Sequence, residues 1–296
     1  MMTTISHTPP RVASVPAVQT SRTILRRLRR RPLVVAAFAV LALFVILAVA
    51  APLLAPHDPI ALIPGAVLRP PSRNFPLGTD ELGRDVLSRV IHGARISLRI
   101  GLVTIGIALV LGTVIGVLAG FYGGVIDGVL MAVMEVLLAF PQILLAMAIL
   151  AMLGPSLTNA MIAVGLSAVP VYARTARGTT LSVRAMDYVE AARAIGVGDG
   201  RILARHVLPN MISPVVVLAT AGVGIAILIA AGLSYLGLGA QPPTPEWGAM
   251  LSQARAYLRN AWWMATFPGL AITLVVISLN LCGDWLRDLL DPRLRT

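Results

Sequence analysis

From Leu33 to Ala55 the chain runs for about 23 residues without one charged side chain. In a helix rising about 1.5 Å per residue, that run crosses a hydrocarbon core of roughly 30 Å. Five further tracts read the same way: about Ile96 to Ala119, Val129 to Leu153, Leu157 to Arg174, Ile212 to Leu236 and Trp263 to Gly283. The cluster Gly120 to Gly124 ends the second tract in a turn, and Gly154-Pro155 separates the third from the fourth. The expected fold is an all-α integral membrane protein with six transmembrane helices. A cleaved signal peptide is the competing reading of the first tract, since arginines precede it and Ala48-Val49-Ala50 resembles a cleavage site. The run is longer than the usual apolar region of roughly 7 to 15 residues, which favours a retained span.

Charge supplies the orientation. The chain is 57% apolar and 12% charged, well below the roughly one quarter charged of soluble proteins. Its net charge of +11 comes from arginine alone, with no lysine. Seven arginines precede the first tract, six lie between Arg174 and Arg205, and three follow Asp284. Six spans put these groups on one side, which the positive-inside rule makes the cytoplasm. Segments of about 56–95 and 237–261 then face outward. No aromatic residues interleave with the arginines as a platform for stacked bases would require, so nucleic acid is not an expected partner. Residues 1 to about 20 lack periodicity and read as a disordered tail.

Enzymatic chemistry finds no footing. The single Cys282 excludes a disulfide framework, and the four histidines are isolated. Without lysine there is no P-loop, so any energy from ATP must come from a partner. Glu135 is the notable ionisable residue inside the expected spans, a functional candidate or a group that snorkels or pairs with an arginine of a neighbouring subunit. The spacings Gly112-x3-Gly116 and Gly116-x3-Gly120 allow close helix approach.

One polar stretch interrupts the membrane pattern, Asp187 to Gly196 running on to Pro209. Val189, Ala192, Ile195, Ile202 and Leu203 recur at helical intervals and form one apolar face. Gly196 and Gly198 suit a bend between two short helices, Asp199 suits the cap of the second, and Ala191 and Ala192 leave a small surface for another backbone. Pro209 is expected to start the return to the membrane. A helix lying on phospholipid headgroups is the alternative reading of these residues.

The pattern Glu190-Ala191-Ala192, then Gly196, then Arg205-His206-Val207-Leu208-Pro209 resembles the EAA loop of importer-type ABC permeases. His206 departs from the isoleucine often found there. Three further segments extend the resemblance to the C-type permease of dipeptide/oligopeptide importers: Pro76 to Arg89, Pro245-Glu246-Trp247-Gly248, and Gly283 to Arg293. The resemblance implies an ABC importer type-1 permease fold with a cytoplasmic coupling-helix loop. It divides the chain into a basic tail (1–32), a first helix with an extracytoplasmic segment (33–95), the type-1 membrane domain (96–284) and a C-terminal tail (285–296). It makes Asp187, Glu190, Ala191, Ala192, Gly196, Arg205, His206, Leu208 and Pro209 the ATPase-coupling loop. Implied partners are a second, B-type permease in a heterodimer, two ATPase domains or subunits, an extracytoplasmic substrate-binding protein, and the lipid of the bacterial inner membrane. ATP and magnesium belong to the ATPases, and this chain binds no cofactor. Related importers carry dipeptides, longer peptides, nickel or haem. An ion-coupled carrier and a membrane scaffold that docks a cytosolic partner are the rivals. Broken helices and a polar midplane site would support the carrier, and the sequence displays neither.

Overall fold

The computed structural model describes residues 31–290. The expected disordered tail and the last six residues lie outside that range. Eleven α-helices follow one another among the described residues. They are α1 Pro32–Val49, α2 Ala51–Leu54, α3 Val86–Tyr122, α4 Gly124–Leu138, α5 Gln142–Leu153 and α6 Leu157–Arg184. Then come α7 Asp187–Ala194, α8 Asp199–Ile202, α9 Leu208–Tyr235, α10 Trp247–Ala254 and α11 Trp263–Leu290.

The largest helix interface joins α3 to α6. A side chain at Gly112 would stand 2.5 Å from Tyr172 Cβ, and one at Gly120 would stand 2.9 Å from the Arg177 carbonyl oxygen. Gly116 meets Ala173 and Ala176 just as closely. The glycine spacing therefore does what small residues do between helices in lipid, where dispersion contacts replace a hydrophobic driving force. Partner numbers rise together along both helices, so α3 and α6 are parallel. The chain between them must turn back, and α4 with α5 makes that return. α9 is antiparallel to α3, since Gly101 packs on Val223 and Ile227 while Gly222 meets Ile105. α1 and α11 close the bundle through Phe38 on Trp285 and an Arg31–Asp288 ion pair of 2.6 Å.

One expectation is corrected, and the expected six spans are met only in part. The third tract is two helices bent by 95°, with Ala139-Phe140-Pro141 at the break, so a broken helix exists where the sequence suggested a continuous one. Four helices (α1, α3, α9 and α11) are long and apolar enough to cross a membrane, or five counting the bent pair. The count of six is not reached, because α6 falls outside that set. Its physical reason is burial: α6 turns Tyr172, Ala173, Ala176 and Thr180 towards protein, so its composition is not governed by lipid. Helix ends also differ from the tracts. α3 begins ten residues before Ile96, at Val86, and α11 continues past Gly283 to Leu290.

Candidate functional site

The polar stretch folds as two short helices held against one end of the bundle. Val189, Ala192, Ile202 and Val207 are buried and pack with Val117, Phe121, Ala176, Val183 and Met211. The opposite face is free: Asp187, Glu190, Ala191, Arg193, Gly196 and Arg205 are all exposed. Asp187 and Glu190 lie in the first turn of α7, where the helix dipole favours negative charge, and Arg193 lies in the last, where it favours positive charge. The Arg193 guanidinium also rests over the Phe121 ring, 5.1 Å from its centroid.

Gly196 ends α7. Its φ of +80° is left-handed backbone that side chains with a Cβ resist. Gly196 N–H donates to the Arg193 carbonyl at 2.9 Å, and Val197 N–H donates to the Ala192 carbonyl at 3.0 Å. These two bonds form a Schellman cap, which satisfies carbonyls otherwise orphaned at a helix end. The bend aims the chain back towards α8.

A π-helical segment, Leu203–Val207, joins α8 to α9 and carries Arg205 and His206. Wider turns of this kind free backbone groups. Asn210 Nδ2 donates to the His206 carbonyl at 2.6 Å and to the Tyr188 hydroxyl at 3.3 Å. The His206 and Tyr188 rings lie 5.6 Å apart. His206, the departure from the loop pattern, thus ties the return limb to α7.

The structure corrects three details of the loop. Ile195 is 81% exposed rather than on the apolar face, because α7 has ended before it. Ala192 is buried against its own chain, leaving Ala191 alone as the small exposed surface. Gly198, not Asp199, occupies the cap of α8, and no side chain bonds there. Leu208 and Pro209 open α9, which the π segment enters without a break.

At the other end, two of the segments that carried the resemblance meet. Asp85 caps α3 by accepting from Ser88 N–H at 3.0 Å, and Arg84 Nε donates to Asp80 at 2.6 Å. Arg89 is 1% exposed and donates to the carbonyls of Pro59 and Pro243 at 3.1 and 3.3 Å. Trp247 Nε1 donates to the Val90 carbonyl at 3.1 Å, and a Cβ at Gly93 would stand 2.5 Å from that indole. Glu246 caps α10 by accepting from Gly248 and Ala249 N–H at 2.9 and 2.8 Å, yet burial pushes its carboxyl above the ordinary range. Burial and the neighbouring Asp80 charge raise Glu81 likewise. This knot accounts for a glycine, a tryptophan and charged residues at those positions.

Glu135 is exposed on α4. Sequence reasoning missed a half-exposed ion pair: Arg177 Nε and Nη2 donate to the two Asp127 oxygens at 2.5 and 2.6 Å, joining α6 to α4. The partners are 50 residues apart, and only the acid just past the Gly123-Gly124 turn could have signalled it.

Comparison with known proteins agrees with this architecture. Residues 112–296 match the binding-protein-dependent transport system inner membrane component, and residues 20–71 match the N-terminal TM domain of oligopeptide transport permease C. A dipeptide transport system permease protein of Alkalihalophilus pseudofirmus is 42% identical over 296 residues, covering 100% of this chain and 97% of that relative. A di/tripeptide transport system permease protein of Pseudomonas aeruginosa is 48% identical, covering 86% of each chain. A glutathione transport system permease protein of Escherichia coli is 46% identical, covering 91% of this chain and 89% of the relative. The fold also resembles a chain of the MetNI methionine ABC transporter in an inward-facing conformation. The TM-score is 0.57 at 21% identity, over 69% of this chain and 97% of that one. Long apolar helices and matches over the full length lead to one conclusion: the chain belongs to the family of binding-protein-dependent transport system inner membrane components.

Proposed function

We propose that this chain is one membrane-spanning half of an ATP-driven importer for peptides in the bacterial cytoplasmic membrane. It pairs with a second permease, receives substrate from an extracytoplasmic binding protein and catalyses no reaction itself. ATP and magnesium are used by two partner ATPases. Their closure, passed through Asp187–Pro209, drives alternating access across six crossings, with α6 as the sixth and both chain ends in the cytoplasm.

The observation that carries the reading is the docking loop. Its apolar face is consumed by its own bundle, while Asp187, Glu190, Ala191 and Arg205 face outward. The test uses the complete complex reconstituted in vesicles. Gly196→Val forces a β-branched residue into left-handed backbone at a cost of about 1–3 kcal/mol, and nothing lies within 4 Å to be displaced. Glu190→Ala removes an exposed carboxylate from the α7 first turn. Both variants should assemble normally and lose most ATP-driven uptake. Wild-type rates in both would return the loop to the lipid surface.

An ion-coupled carrier is the second reading, and the broken helix at Ala139–Pro141 is an observation in its favour. Uptake that a protonophore abolishes at constant ATP would select it.

A further inference from the structure

The break in the α4–α5 pair opens onto a small chamber. Its volume is about 150 Å³, and its walls include Thr104 and Ile105 of α3, Gln142 of α5, Tyr172 of α6 and Gly222 of α9. Thr104, Tyr172 and Gly222 stand near the midpoints of their helices, which puts the chamber at mid-membrane. Gln142 is the first residue after the break and is half-buried.

The polar groups here are buried and poorly satisfied. Thr104 is fully buried, yet its hydroxyl reaches the Met161 carbonyl only at 3.4 Å. Tyr172 is 4% exposed, and its hydroxyl reaches the Leu218 carbonyl only at 3.4 Å. A hydroxyl bond is ordinarily about 2.7–2.8 Å, so both groups retain capacity for a better partner. Irregular backbone at membrane depth is tolerated where it lines a cavity. No charged side chain lines the chamber. It therefore suits a neutral dipolar group rather than a terminus. A carboxamide donates and accepts at once, as an amide does. The space equals about five water volumes, enough for one peptide unit.

We propose that this chamber is a transient binding site for a backbone amide of the passing substrate, with Gln142 and the Thr104 and Tyr172 hydroxyls as its partners. This rests on the peptide-import reading. The test compares ATP-driven uptake of dialanine with that of its ester analogue, in which oxygen replaces the amide N–H, by the full reconstituted complex. The soluble binding protein is the same in every arm, so a change in the ratio reports the permease. Gln142→Leu should lower the preference for the amide roughly five-fold, the worth of one neutral hydrogen bond. Thr104→Val, which keeps shape and removes only a hydroxyl, should lower it in the same direction and decides the matter if Gln142→Leu fails to assemble. A ratio equal to wild type in the assembled variants overturns the chamber. Absence of dialanine uptake by the wild-type complex overturns the peptide reading itself.

Discussion

Gly222 has no room for a side chain, because the Tyr172 hydroxyl occupies the place a Cβ would take and Ile105 Cδ1 lies 3.1 Å away. Gly222→Ala should therefore lower the melting temperature of the detergent-purified complex, by the equivalent of about 1–3 kcal/mol for an overpacked core. Adding Tyr172→Phe removes the obstructing oxygen and should restore most of the loss; a double variant no better than the single one would refute the contact. Glu246 gives a pH-dependent expectation. Burial raises its folded-state pKa above the ordinary 4.5. The folded state thus holds this proton more tightly than the unfolded state. Its contribution is most favourable at low pH and is lost as pH rises through the interval from 4.5 to the raised value. Glu246→Gln keeps one cap acceptor and cannot ionise, so its melting temperature should gain on wild type as pH rises from about pH 5 to about pH 8. Glu246→Ala removes both cap bonds and should melt lower throughout, by about 1 kcal/mol.

At the scale of elements, the α3–α6 seam is the structural spine. Gly116 presses on the Ala173 carbonyl and Ala176, whereas Gly106 of the same helix has nothing within 4 Å of a would-be Cβ. Gly116→Val should sharply reduce recovery of assembled complex and its melting temperature. Gly106→Val should be nearly neutral, within about 0.5 kcal/mol. Equal effects would mean that helix propensity rather than close approach governs the seam. The Asp187–Pro209 loop is built oppositely. Its anchor residues are few, its outer face is free, and its two limbs are joined by the Schellman cap and the Tyr188–His206–Asn210 contacts. Those contacts make the loop one unit, which is what the proposed coupling to an ATPase requires.

For the whole molecule, contacts group the chain ends independently of charge counting. Arg31 meets Asp288, and Arg184 Nη1 donates to the Gly120 carbonyl at 3.3 Å beside the docking loop. His57 N–H donates to Ser88 Oγ at 3.0 Å, and Trp263 Nε1 donates to the Thr79 carbonyl at 3.0 Å, at the other end. In a Cys282→Ser background, a cysteine at exposed Ser182 should resist an impermeant thiol reagent in intact cells, and one at exposed Ser72 should label. Labelling of Ser182 from outside would invert the orientation and remove the docking loop from reach of any cytosolic ATPase.

The apolar tracts, the arginine placement and the Glu190–Pro209 pattern were legible in the sequence because each depends on local composition or spacing. Tract length alone sets whether a helix matches a bilayer, and a glycine six residues after Glu190 suffices to announce a bend. The tertiary structure decided what depends on neighbours. Pro141, followed by Gln142, is the local mark of the 95° break, and both halves of the broken run pack on α6. Ile195 shares the period of Val189 and Ala192, but the chain leaves the helix one residue too early for Ile195 to be buried. The Asp127–Arg177 pair, the Tyr172–Gly222 fit and the outer knot join residues dozens to more than a hundred positions apart. Such contacts arise only when parallel and antiparallel helices are laid side by side, and no local periodicity encodes that arrangement.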